Sequence, residues 1–131
     1  MQIIDANILL RYLLSDHDEL SPKAEEIIDN NNIHLPIEVL CEVVYVLEKV
    51  YKVDRTEISM ELTDIINDLA MTVPSKDAVL TGLNIYGTDK HDLVDCILVG
   101  YYEIENAKIH TFDDKLKKII NRRSIELAKD D

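Results

Sequence analysis

The chain has 131 residues, 47% apolar and 31% charged, a balance that fits one globular domain with a single core and excludes a disordered segment. Its formal charge of −12 excludes a general nucleic-acid-coating protein, which would be basic. No apolar run is long enough to cross a bilayer, and "MQIIDANILL" has an acid among its apolar residues and no basic region before them, unlike a signal peptide; cytoplasm is the default expectation.

In chain order, "MQIID" predicts a short strand and "ANILLRYLL" a helix. "SPKAEEIIDN" predicts a helix with Ser21 at the N-cap and Pro22 at the first helical position. "IHLP" is a brief strand stopped by Pro36. "IEVLCEVVYVLEKVYK", apolar at 37, 40, 41, 44 and 47, is a helix facing the core. "DRTEISMELTDIINDLA" follows as an amphipathic helix, "TVP" as a short strand, and "SKDAVLTGLNIYG" as a helix ending near Gly87. Residues 91–106 predict a further helix, "AKIHT" a strand, "DDKLKKII" a helix and "SIEL" a weak final strand. Strands alternating with helices predict one α/β domain over 1–131, in three layers, with a mainly parallel central sheet and helices on both faces.

Cys41 and Cys96, the only cysteines, stand far apart without CxxC spacing, which argues against zinc or a disulfide framework and for inert thiols in apolar helices. Charge is uneven. Residues 108–123 carry six Lys or Arg against Asp113 and Asp114, +4 locally, which leaves −16 for the remainder. Lys117 and Lys118 lie in this basic flank, which would give substrate phosphates their one favourable approach.

Sites in such sheets form at the carboxyl ends of strands, here Asp5 and Asn7 after the first, and Thr111 to Asp114 after the strand at 108–111. Asp5, Asp92 and Asp113 could each be simple helix caps. Glu42 and Asp95 fit that reading less well. Both lie inside apolar helical runs, so partial burial is expected, and neither has Lys or Arg at i±3 or i±4. Asp92 and Asp95 also share one helix face, where like charges repel and raise pKa values. Mg²⁺ or Mn²⁺, one or two per site, would relieve that repulsion, since carboxylate and water oxygens suit these ions. Such a site activates water and stabilises a leaving oxygen in phosphodiester cleavage.

Four stretches resemble PIN-domain motifs in the family's order: "IIDANILLRYLL", "LCEVVYVL", "DLVDCILVG" and "HTFDDKL". The small size is most similar to VapC-type toxins of bacterial and archaeal toxin–antitoxin pairs. That resemblance implies a Mg²⁺- or Mn²⁺-dependent ribonuclease, a homodimer, and inhibition by a small antitoxin. It maps the metal-site acids onto Asp5, Glu42, Asp95 and Asp113, with Asn7 and Thr111 as orienting neighbours. Asp92 matches a frequent extra acid. Asp114 doubles the fourth acid, and the Thr-x-Asp pattern favours Asp113. Cys96 stands where the family more often has Ala.

Two other classes compete. A phosphotransfer receiver domain would need a middle strand ending in Asp and a Lys after a late strand; "TVP" ends in Pro-Ser, and Thr111 holds the second position. A non-catalytic PIN-like binding module would be marked by lost acids, and all four are present. His91 and His110 read as surface or satisfied core residues.

Overall fold

The computed structural model describes residues 1–130. Among the described residues nine elements follow one another: β1 (Gln2–Ile3), α1 (Ala6–Leu14), α2 (Leu20–Asp29), β2 (Ile33–His34), α3 (Ile37–Lys49), α4 (Arg55–Asp68), α5 (Lys76–Thr88), α6 (Leu93–Glu105) and α7 (Asp114–Asp130). The fold is α/β and mostly helical. β1 and β2 pair in parallel, Gln2 with Ile33 and Ile3 with His34. The "TVP" segment extends this sheet by one parallel bridge, His34 to Thr72. Thr72 N–H donates to the Ile33 carbonyl at 3.0 Å, and Leu35 N–H to the Thr72 carbonyl at 2.8 Å.

Three local expectations are corrected. The α2 helix starts at Leu20, not after Ser21, because the His17 ring Nδ1 accepts the Glu19 and Leu20 N–H groups at 3.2 and 2.9 Å. Ser21, buried, donates instead to the Arg11 carbonyl at 2.8 Å. Residues 108–111 form no strand; of these, only Ile109 packs against the core, and Lys108 and His110 are exposed. "SIEL" is not a strand but the continuation of α7, where Glu, Leu, Ala and Lys are good helix formers. Ser124 Oγ donates to the Ile120 carbonyl at 2.8 Å, and Arg123 grips Glu103 of α6 through Nε at 2.6 Å and Nη2 at 2.9 Å.

The core is continuous, with Leu9, Leu35, Leu40, Leu62 and Leu83 fully buried. On α3, Leu40, Val43, Val44 and Leu47 face inward, as the apolar spacing requires. The α5 and α6 backbones approach closely at two glycines. A Cβ on Gly82 would lie 2.8 Å from the Ile97 Cα, and one on Gly100 would collide with the Ala78 carbonyl. This contact fixes the helix that carries Asp95.

Candidate active site

Asp5 ends the strand-to-helix junction and caps α1, its Oδ1 accepting Ile8 N–H at 3.0 Å. Asn7 is exposed in the first turn of the same helix. Asp113 plays the matching role at α7. Its Oδ1 accepts Lys115 N–H at 2.9 Å, while its own N–H donates to Thr111 Oγ1 at 3.0 Å. The capping role is therefore real for both acids, and it occupies one oxygen of each carboxylate. Asp92 stands at the N-cap of α6, yet its side chain makes no capping hydrogen bond to the described residues.

A cleft of about 570 Å³ brings Glu42 and Glu48 of α3 beside Asp92 and Asp95. Lys49, Arg55, Tyr45 and Tyr86 add to its polar lining. Asp5, Asn7, Thr111 and Asp113 are not part of that lining. Asp113 nevertheless acts on the cleft through its charge. Burial first, then the neighbouring carboxylates of Asp113 and Asp92, hold the Asp95 carboxyl above the ordinary aspartate range, and His91 only partly opposes them. Repulsion between converging acids is thus present at Asp95. Glu42 departs from expectation: it is exposed, on an α3 face shared with Tyr45 and Lys49 and turned away from Val43 and Val44.

Sequence reading missed the remote cations. Lys49 bonds Glu48 Oε2 at 2.9 Å, and Asp92 adds to the field that raises its pKa. Arg55 of α4 sits 3.8 Å over the Tyr86 ring and donates to Glu48 Oε1 at 2.9 Å. It also donates to the carbonyls of Tyr86 (3.1 Å), Asp89 (3.0 Å) and His91, which clamps the loop leading into α6. Tyr86 OH donates to Glu48 as well, and that bond chiefly holds the Glu48 carboxyl below its ordinary value. No local pattern marks Arg55, because its partners lie 7 to 36 residues away.

Cys96 is fully buried and its thiol is pushed up to about 12, chiefly by desolvation, so it is inert. Cys41 is half-buried, with its thiol raised first by burial and then by Glu38. Lys117 and Lys118 are both exposed, but only Lys118 lines a second cavity, of about 350 Å³, with His91, Lys115, Ile119 and Arg122.

Among the described residues, no three His, Cys, Asp or Glu side chains stand close enough to hold an ion by themselves. The donor chemistry still suits Mg²⁺ or Mn²⁺. All the candidate ligands are carboxylates, the repulsion at Asp95 is what a cation would relieve, and Mg²⁺ commonly takes one or two protein carboxylates with water and substrate phosphate.

A VapC ribonuclease of Aquifex aeolicus (strain VF5) is 28% identical over 130 residues, spanning 91% of this chain and 92% of the relative. No solved structure gives a significant match. The PIN domain family model matches residues 3–121, which include Asp5, Glu42, Asp95 and Asp113, and the chain belongs to the PIN domain family.

Proposed function

We propose that this protein is a Mg²⁺- or Mn²⁺-dependent ribonuclease and the toxin of a type II toxin–antitoxin pair, acting in the cytoplasm as a homodimer and restrained by a small antitoxin. The observation that carries the chemistry is the raised Asp95 carboxyl, held in a cleft with Glu42 and Asp92 and within the field of Asp113. Membership of the PIN family and similarity to a VapC ribonuclease support the substrate class.

In this reading one or two of Asp5, Glu42, Asp95 and Asp113 at a time would bind the ion, with water and substrate phosphate completing its shell and Asp92 as a further ligand. A bound divalent ion supplies an activated water and charge neutralisation at the phosphodiester. Thr111 orients Asp113 through the Asp113 N–H, and the capping bonds at Asp5 and Asp113 fix those carboxylates before substrate arrives. Asp95, whose ionised form is opposed by burial and by the Asp113 and Asp92 charges, is the carboxylate whose charge such an ion would offset.

The test compares cleavage of structured and unstructured RNAs in Mg²⁺, Mn²⁺ and EDTA for the wild type, Asp5→Asn and Asp95→Asn. Asn at position 5 can still cap α1, so a fold defect does not obscure the result. Each variant should lose roughly 10²–10⁴-fold in rate, the usual range for removing a positioned catalytic group. Full cleavage in EDTA would reject the metal mechanism.

A further inference from the structure

The second cavity has a chemistry of its own. Lys115, Lys118, Ile119 and Arg122 fall at i, i+3, i+4 and i+7 of α7, a single helix face, and they meet His91 from the loop before α6. Ile119 is buried and forms the floor. Lys117, one residue away in sequence, points off this face and outside the cavity. Arg122 Nη2 donates to Asp89 Oδ2 at 3.0 Å, which ties α7 to the loop. Among the described residues, no carboxylate lies within ion-pair distance of Lys115 or Lys118, so the cavity keeps an excess of positive charge on a chain of −12. Arg55 holds the His91 carbonyl, which fixes the loop that presents the imidazole. His91 lines this cavity and the next residue, Asp92, lines the acid cleft, so the two adjoin.

We propose that this cavity is a phosphate subsite for the RNA strand, in which Lys115, Lys118 and Arg122 with His91 hold a non-scissile phosphate while the acid cleft takes the scissile one. The proposal rests on the ribonuclease reading and deepens it. The cations position the strand, and the acids act on it. Two compact lysine charges and one pre-oriented guanidinium suit a phosphate, whose oxygens accept from several directions at once.

The experiment measures binding of a short fluorescein-labelled single-stranded RNA of mixed sequence by anisotropy in EDTA, across a salt series, and cleavage separately in Mn²⁺. Lys115→Gln/Lys118→Gln is compared with Lys23→Gln/Lys129→Gln, which removes equal charge from outside the cavity and outside the basic flank. All four side chains are exposed, so folding is preserved. The cavity pair should weaken binding about tenfold and raise KM with kcat nearly unchanged, because it removes charge-assisted contacts made equally in ground and transition states. Its salt slope should fall by roughly one. The control pair should change little. RNAs carrying one neutral methylphosphonate, moved linkage by linkage, should reveal a non-scissile position where the wild type loses affinity and the cavity pair does not. RNA binding lost equally in both pairs would reduce the flank to general steering and overturn the subsite. RNA bound and cleaved by the cavity pair as by the wild type would overturn it alone. A wild type that neither binds nor cleaves RNA would remove the ribonuclease reading and the subsite with it.

Discussion

Asp95 is the residue where stability and proposed activity oppose each other. Its carboxyl is protonated more readily in the folded protein than in the unfolded chain, first from burial and then from the Asp113 and Asp92 charges. The folded state therefore binds more protons there, and stability falls as pH rises from the ordinary aspartate range through the raised one. Asp95→Asn removes that penalty. In EDTA at neutral pH its Tm should exceed the wild type's, and the difference should close as the pH drops below the ordinary aspartate range, where both side chains are neutral. Mn²⁺ should stabilise the wild type and barely move the variant, since a ligand that binds only the folded state adds about 2.7 kcal/mol at a hundred times its dissociation constant. Thermal melts at matched ionic strength decide it. An apo Asp95→Asn protein that is less stable, with a full Mn²⁺ response, would make the carboxylate a structural hydrogen-bonding group. Glu48 has the opposite sign: its carboxyl is lowered, so its contribution holds at neutral pH and fades as the pH falls through its folded value.

The decisive element-scale contact is α5 on α6. Gly100 faces the Ala78 carbonyl with no room for a methyl group, and Gly82 faces the Ile97 backbone. In both places glycine serves close approach rather than unusual backbone angles. Gly100→Ala must push the helices apart or shift their register, at a cost of about 3 kcal/mol, at the upper end for overpacking. Urea denaturation should show the lower midpoint. Because α6 carries Asp92 and Asp95 into the cleft, any folded Gly100→Ala protein should also lose Mn²⁺ affinity. An unchanged urea midpoint would mean that the α5–α6 contact is looser than the structure describes. Arg55 reinforces the same junction from α4, bridging Glu48 of α3 to the carbonyls that lead into α6.

At the scale of the whole molecule, several large apolar side chains face outward, among them Tyr45 at 63% exposure, Met60 at 62% and Phe112 fully exposed. Where such side chains form one contiguous patch on a small domain, they mark contacts with other chains. The proposed homodimer would cover some of these side chains. Sedimentation velocity over a wide concentration range should give twice the chain mass with little dependence on salt, since an apolar interface is not screened. A monomer at every concentration would reject the dimer. Among the described residues, no helix is long and apolar enough to cross a membrane.

What the sequence by itself determined was local in origin. Helical periodicity placed α3, α4, α5 and α6 because an α-helix is built from contacts three and four residues apart, and those lie in the text of the chain. The caps at Asp5 and Asp113 were legible for the same reason, since each bonds an N–H two or three residues ahead. The ordered motifs carried the family. Tertiary structure decided whatever depended on distant partners. An apolar run around Glu42 implied burial, but only packing shows that its own side of α3 faces solvent. The alternation in 108–111 resembled a strand, but a strand exists only where a neighbour completes its ladder. Pairing of α7 with Glu103 and Tyr102 turned "SIEL" into helix. The Arg55 clamp, the field of Asp113 on Asp95 and the meeting of His91 with α7 join residues up to 36 positions apart. Charge and burial act through space, and only the folded chain sets those distances.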